Sequence, residues 1–284
     1  MKTVADTRLL KDRVFTVLAL VLSALGILPL LYLLITVGYK GAGAILRAGA
    51  GFFTMPPAPP GDDNIGGIAP AIAGSMVLAL LSTATGIPIA LFTALFLHEF
   101  RSTRYARIIR AFLMSLLEIP TILVGILVYT ILVLPLQGFS LFAGAVALAI
   151  VMLPYVTVYI ERAFDSVPQT YREAGFALGM TRMQVALRVT LGVARRGVLA
   201  GAIIGLSKAF GETAPLLFTI GGSRSGIQVN PAKPGDAMPL LIFQFASTPY
   251  ANWHDAAWGA SLVLLAGVLL VYLLSRKIIG EVNA

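Results

Sequence analysis

Six long apolar runs, separated by polar loops, set the rhythm of the 284-residue chain. They are Val14–Gly38, Pro70–Leu97, Ala111–Leu136, Phe139–Ile160, Gly197–Ile220 and Ala256–Ser275. A membrane-spanning helix needs about 20 predominantly apolar residues, so each run predicts one crossing. The first run is longer than the roughly 7–15 apolar residues of a cleavable signal, and no small-residue cleavage site ends it. It reads as a signal anchor that follows a tail of residues 1–13. The expected fold class is all-α: a polytopic membrane protein with six transmembrane helices, residues 14–284 forming one domain.

The polar stretches between the runs differ in kind. The segment from Val167 to Gly197, VPQTYREAGFALGMTRMQVALRVTLGVARRG, carries helix signals. Pro168 suits a first helical turn. Thr170 and Glu173 have capping-box spacing, and Thr181 and Gln184 repeat it. Gly179 between them tolerates the positive φ that ends a helix. The spacing predicts two short helices, the second running towards Thr190, joined by a bend at Gly179. Such an elbow is either a docking element or an amphipathic piece lying on lipid. The loop Phe52–Pro70 is rich in Pro and Gly and is expected to be extended and turn-rich. The apolar stretch Pro239–Ala246 is too short to span; it lies at the membrane surface or plugs back into it, with Trp253 and Trp258 at the interface.

Composition agrees with a membrane location: 58% of residues are hydrophobic and 12% charged, against about 25% charged in soluble domains. There is no cysteine, which excludes a disulfide framework and thiolate metal sites. The net charge of +8 in a soluble protein points to nucleic acid. Here its distribution explains it. Lys2, Arg8, Lys11 and Arg13 lie in the tail, and Arg101, Arg104, Arg107 and Arg110 between the second and third runs. Arg162, Arg172, Arg182, Arg188, Arg195 and Arg196 lie between the fourth and fifth, and Arg276 and Lys277 at the end. The opposite side has only Lys40, Arg47, Arg224 and Lys233. The positive-inside rule therefore puts both termini in the cytoplasm, and no nucleic-acid role is expected.

The sequence holds no motor. G-x-x-x-x-G-K-[ST] and H-E-x-x-H are absent, there is no acidic metal cluster, and His98 and His254 stand alone. Active transport would need ATP hydrolysis in a partner. Inside the fifth run, Lys208 lies 11 residues past Gly197, about 16 Å along a helix and near the middle of a hydrocarbon core about 30 Å thick. Ionisable residues at that depth face a bundle interior or a water-filled pathway. Glu212 is four residues on, the spacing of one helix face. The pair either serves a translocation pathway or locks helices together. Glu118 is the other acid inside a run. It precedes Pro120, where a kink is expected, and either pairs with a pathway cation or sits at the cytoplasmic rim. The small residues of Leu81–Ala90 suit close helix packing more than substrate binding.

The stretch EAGFALGMTRMQVALRVTLG, Glu173–Gly192, resembles the EAA loop of permease subunits of binding-protein-dependent ABC importers. Glu173, Ala174 and Gly179 match that pattern, and Val189 and Leu191 match conservatively. Gly175 stands for the second alanine and Gly192 for the proline. The resemblance implies a MetI-like permease fold in which residues 167–192 insert into a groove on a separate ATPase. Arg172, Glu173, Ala174, Gly175 and Gly179 are then the coupling residues.

Three further stretches, GETAPLLFTIGG (Gly211–Gly222), LLEIPTILVGILVY (Leu116–Tyr129) and PPGDDNIGGIAPAIAGS (Pro59–Ser75), resemble the phosphate-specific branch of these permeases, the PstA family. That resemblance covers nearly the whole chain. It implies a non-enzymatic subunit of a phosphate importer in the bacterial cytoplasmic (inner) membrane, with Lys208, Glu212, Thr213 and Glu118 along the pathway. It also implies partners: a homologous PstC-like permease subunit, a PstB-like ATPase dimer that carries ATP and Mg, and a PstS-like phosphate-binding protein outside, with lipid around the spans. No cofactor is expected in this chain. The rival readings are an ABC permease for sulfate or molybdate, which should lack the GETAPLLF segment, and an ion-coupled secondary transporter, which internal inverted repeats would favour.

Overall fold

The computed structural model describes residues 2–224 and 226–280. Eleven α-helices account for most of the described chain. Helix α1 (Lys2–Ala48) runs through the tail and the first apolar run without a break, and the short α2 (Gly51–Thr54) follows. Helix α3 (Ala69–Glu99) is the second crossing. Next come α4 (Arg104–Glu118), α5 (Thr121–Val128), which continues in wider π turns to Val133, and α6 (Leu141–Asp165). Helices α7 (Gln169–Ala177) and α8 (Arg182–Gln184) form the elbow. Helix α9 (Leu191–Phe210) is the fifth crossing, and α10 (Met238–Ala246) and α11 (Ala251–Gly280) complete the chain. Among the described residues five helices are long and apolar enough to cross a membrane; a sixth crossing results if α4 and α5 count as one broken span.

The core is a three-helix pack of α3, α6 and α9. Glycine makes it tight. Gly197, Gly201 and Gly205 recur every four residues on α9 and face Ala163, Ile160 and Val156 of α6. A Cβ on Gly205 would sit 2.1 Å from Val156 Cγ2, so the helices touch through backbone, as small-residue stripes permit in membranes. Gly86, inside the small-residue stretch of α3, similarly meets Met152 and Ala149.

The structure departs from the sequence expectations at three places. The third run, Ala111–Leu136, bends at Pro120 as expected, but far more sharply than a kink within one span: α4 and α5 meet at a 104° bend. Pro120 has no N–H and holds Ile119 in extended geometry (φ −73°, ψ 127°), which no helix continues through. The fifth run, Gly197–Ile220, stops being α-helical at Phe210, and Gly211–Gly222 is irregular apart from one turn at Leu216–Phe218. The elbow's second helix does not end near Thr190 but continues through π turns, Val185–Thr190, into α9. Gly192, where the family pattern has proline, lies in this unbroken rod. The short apolar stretch Pro239–Ala246 is helical. It forms α10, whose Leu241 and Phe245 are buried with Phe52, Ile68 and Ala256 in a second core. Trp253 joins that core, stacked on Phe245 at 4.5 Å with its Nε1 donating to the Ala58 carbonyl. The Phe52–Pro70 loop beside it has the expected turns, though α2 occupies its first residues. At Gly66 (φ +70°) a Cβ would lie 2.2 Å from Ala58 N, so only glycine fits.

Candidate translocation site and coupling elbow

Lys208 sits in the last turn of α9, two residues before the helix ends. Its Nζ lies 2.5 Å from Glu212 Oε1. The expected pair therefore forms, but not along one helix face: Glu212 lies beyond the helix terminus and folds back. The terminus itself favours this. The last carbonyls of a helix carry partial negative charge, which suits a cation there. Glu212 is buried, its side chain 8% exposed, whereas Lys208 is 39% exposed and lies 5.6 Å over the Tyr155 ring of α6. Ionic contact, ring face and open side together hold an ammonium that still reaches outward.

The irregular backbone after Gly211 is braced from the side. Pro215 presses on α5 at Gly125, where a Cβ would sit 2.7 Å from Pro215 Cα. Thr213 is half-buried, and its carbonyl accepts from Leu216 and Leu217 N–H. Non-helical backbone at membrane depth persists where it is buried in protein or lines a cavity, and this segment is one of those cases. The structure thus brings Lys208, Glu212 and Thr213 into one break, with α5 beside it. It does not bring Glu118 there. Glu118 ends α4 at the bend, exposed, with no hydrogen bond or ion pair among the described residues.

The elbow has two faces. Gly179 takes φ +77°, as its position between the helices predicts. Thr181 and Gln184 make the reciprocal capping box, Gln184 N to Thr181 Oγ1 at 3.3 Å and Thr181 N to Gln184 Oε1 at 2.8 Å. Thr170 and Glu173 do not: α7 starts after Pro168 with no side-chain cap. Gly175 is buried, and a Cβ there would meet Val185 Cγ2 at 3.0 Å, which is what a second alanine would crowd. The outer face carries Glu173, Ala174, Phe176, Leu178 and Gly179, all exposed, and Met183 of α8 is exposed as well.

Arg172 faces the other way. It is 18% exposed and forks onto Glu99 at the end of α3, with Nη2 2.9 Å from Oε2 and Nη1 in contact with Oε1. Its Nη1 also reaches His98 Nε2 at 3.1 Å and Thr190 Oγ1 at 3.2 Å. The hydrogen bond to Glu99 raises the guanidinium above its ordinary value, against the opposing effect of burial. Arg182 Nε donates to Glu99 Oε2 at 3.1 Å while its guanidinium lies over the Phe100 ring. His98 is not alone, as the sequence suggested: its Nδ1 pairs with Asp165 Oδ1 at 2.8 Å. Glu99, only 4% exposed, was missed by sequence reasoning. A signal existed, since an acid ends a long apolar run opposite two elbow arginines.

Residues 86–280 match the family described as binding-protein-dependent transport system inner membrane component. The chain belongs to this family. Among individual permeases of the family, the chain is 42% identical to the probable phosphate transport system permease protein PstA of Methanocaldococcus jannaschii, over 93% of this chain and 92% of that one. It is 35% identical to the phosphate transport system permease protein PstA of Yersinia pestis, over 95% and 90%. Among solved structures, an inward-facing form of the MetNI methionine ABC transporter shares its fold, with a TM-score of 0.59 at 19% identity over 76% of this chain and 94% of that one. The bent α4–α5 and interrupted α9 are thus features of a chain that folds as an ABC permease and crosses the membrane several times.

Proposed function

We infer that this chain is the membrane-spanning permease subunit of an ATP-driven phosphate importer and forms half of its translocation pathway. The Lys208–Glu212 pair at the interrupted end of α9 carries the reading, because it lies at the head of the segment in which the chain resembles PstA permeases. Phosphate brings one to two negative charges at neutral pH. Lys208, anchored on Tyr155 and half open, attracts it. Glu212, 2.5 Å from the ammonium, competes for the same charge and keeps binding weak enough for release, as a conduit requires. Thr213 follows with a hydroxyl in the same break. Glu118, exposed at the α4–α5 bend, faces away from this chain's own core and is assigned to the pathway side shared with the second permease.

The exposed outer face of the elbow, Glu173 to Gly179, is the surface that receives the ATPase, whose bound ATP and Mg2+ supply the work. The partners are a PstC-like permease, a PstB-like ATPase dimer and a PstS-like binding protein on the outside. The arginine distribution supports both termini in the cytoplasm of a cytoplasmic-membrane protein.

The test is uptake of labelled phosphate by vesicles holding the chain with these three partners. ATP-dependent uptake that excess sulfate or molybdate does not suppress is expected. Uptake of sulfate or molybdate in preference to phosphate, or uptake independent of ATP, overturns the reading.

A further inference from the structure

We propose that Glu99 is a positioning residue that makes the coupling elbow and the second crossing move as one body, so that force from the ATPase enters the membrane domain through α3. The proposal rests on the reading of the elbow as the ATPase-docking element. It changes the role of Arg172 from a docking contact to an internal anchor.

The geometry carries the argument. Glu99 ends α3 and is nearly sealed from solvent. A buried carboxylate persists only when its charge is matched and its oxygens bonded. Both Glu99 oxygens are used: Arg172 of α7 takes the two in a fork, and Arg182 of α8 adds a third donor. The fork is planar and directional, so it fixes orientation as well as distance. Glu99 therefore grips the elbow on both sides of its Gly179 bend. A second tie backs the first, running from Arg172 through His98 to Asp165, the last residue of α6. The same Arg172 touches Thr190, where the elbow passes into α9. One guanidinium thus joins the cytoplasmic ends of all three core helices.

The first helix of the elbow, α7, has few other attachments. Apart from Gly175, which nests on Val185, the residues of α7 are exposed or only half-buried. Without the Glu99 fork, α7 is a nine-residue helix held at its two hinges. An isolated helix that short is marginal, and a push on it would bend the elbow rather than move α3.

The chain has no cysteine, so spin labels at Leu178→Cys and Ser102→Cys, both exposed positions, report only the distance from the elbow to the turn that follows Glu99. In the full chain Glu99→Gln should broaden that distance distribution. In the assembled complex it should leave ATP hydrolysis near wild type while phosphate carried per ATP falls well below wild type. Arg172→Lys should keep part of the coupling and Arg172→Gln little of it, a graded rescue that a merely structural role would not give. An unchanged distance distribution in Glu99→Gln overturns the anchor, and a broadened one with unchanged phosphate per ATP overturns its part in coupling. Should Glu99→Gln fail to assemble, the Arg172→Lys and Arg172→Gln pair, judged by the same ratio, decides. If the wild-type chain binds no ATPase, the docking reading fails while the label distance still tests the anchor.

Discussion

Replacing Lys208 with Met tests the pair at the α9 break most directly. The change keeps side-chain length and removes the charge. Glu212, with its side chain 8% exposed and Lys208 Nζ 2.5 Å from its Oε1, is then left as a buried carboxylate without its ion partner. Breaking a fully buried pair costs about 3–5 kcal/mol. Lys208 is 39% exposed, and water reaching its side screens the interaction, so a loss of about 2 kcal/mol is the expected size after that discount. Removing both charges, Lys208→Met with Glu212→Gln, should recover most of it, because no unpaired charge stays buried. Unfolding free energies in mixed detergent measure this part. Labelled-phosphate uptake, at equal amounts of assembled complex, measures the other. The double variant should be stable and still unable to transport. Uptake at the wild-type rate by that variant would refute a pathway role for Lys208 and leave a pair that only locks the break.

Four other expectations follow, three from the structure and one from the charge distribution. Gly179→Val forces a β-branched residue into φ +77°; ATP-driven uptake should fall sharply while membrane insertion, read by protease protection, stays intact. Gly205→Val pushes a side chain into Val156, where even a Cβ would be 2.1 Å away; overpacking should cost about 1–3 kcal/mol or more, seen in the same detergent unfolding assay. Asp236, in the loop before α10, has its carboxyl pushed up to about 6 by burial, against the Ala237 N–H and the Arg224 charge. A carboxyl raised this way favours the folded state below its unfolded value of 3.8 and loses that advantage as pH climbs through about 6, so Asp236→Asn should raise thermal stability at pH 7.5 and leave it unchanged near pH 4. A reporter active only in the cytoplasm should work after Arg104 or Arg182 and fail after Ala58 or Gly235; activity at Gly235 would break the proposed orientation.

Much of this architecture was legible because membrane helices announce themselves by length and apolarity alone. The same signal is blind to where a crossing bends. Pro120 marked a kink in Ala111–Leu136 but not its size, and Gly197–Ile220 read as a uniform run, because the Gly211–Pro215 stretch sits among apolar neighbours and leaves hydropathy nearly unchanged. The capping box at Thr181 was readable and the one at Thr170 misleading for one reason: Pro168 already sets the entry to α7, so no side chain is needed there. Lys208 and Glu212 stood out as charges in an apolar run. Glu99 did not, since an acid at the end of a span looks like any residue at the membrane rim until three donors close on it.

The two charge clusters differ in a way that suits different tasks. Among the described residues Lys208 has one ionic partner, Glu212, and an open side, so its charge stays accessible. Glu99 has its oxygens committed to two guanidiniums and almost no contact with water. Removing any one donor there leaves a buried carboxylate under-bonded, which low local dielectric makes costly. The first arrangement leaves its charge open and the second encloses it. Both stand where a core helix stops, α9 at one end and α3 at the other. Helix ends are where backbone geometry lets side chains converge from several elements, so this bundle places its open charge and its enclosed charge at its breaks rather than along its helical faces.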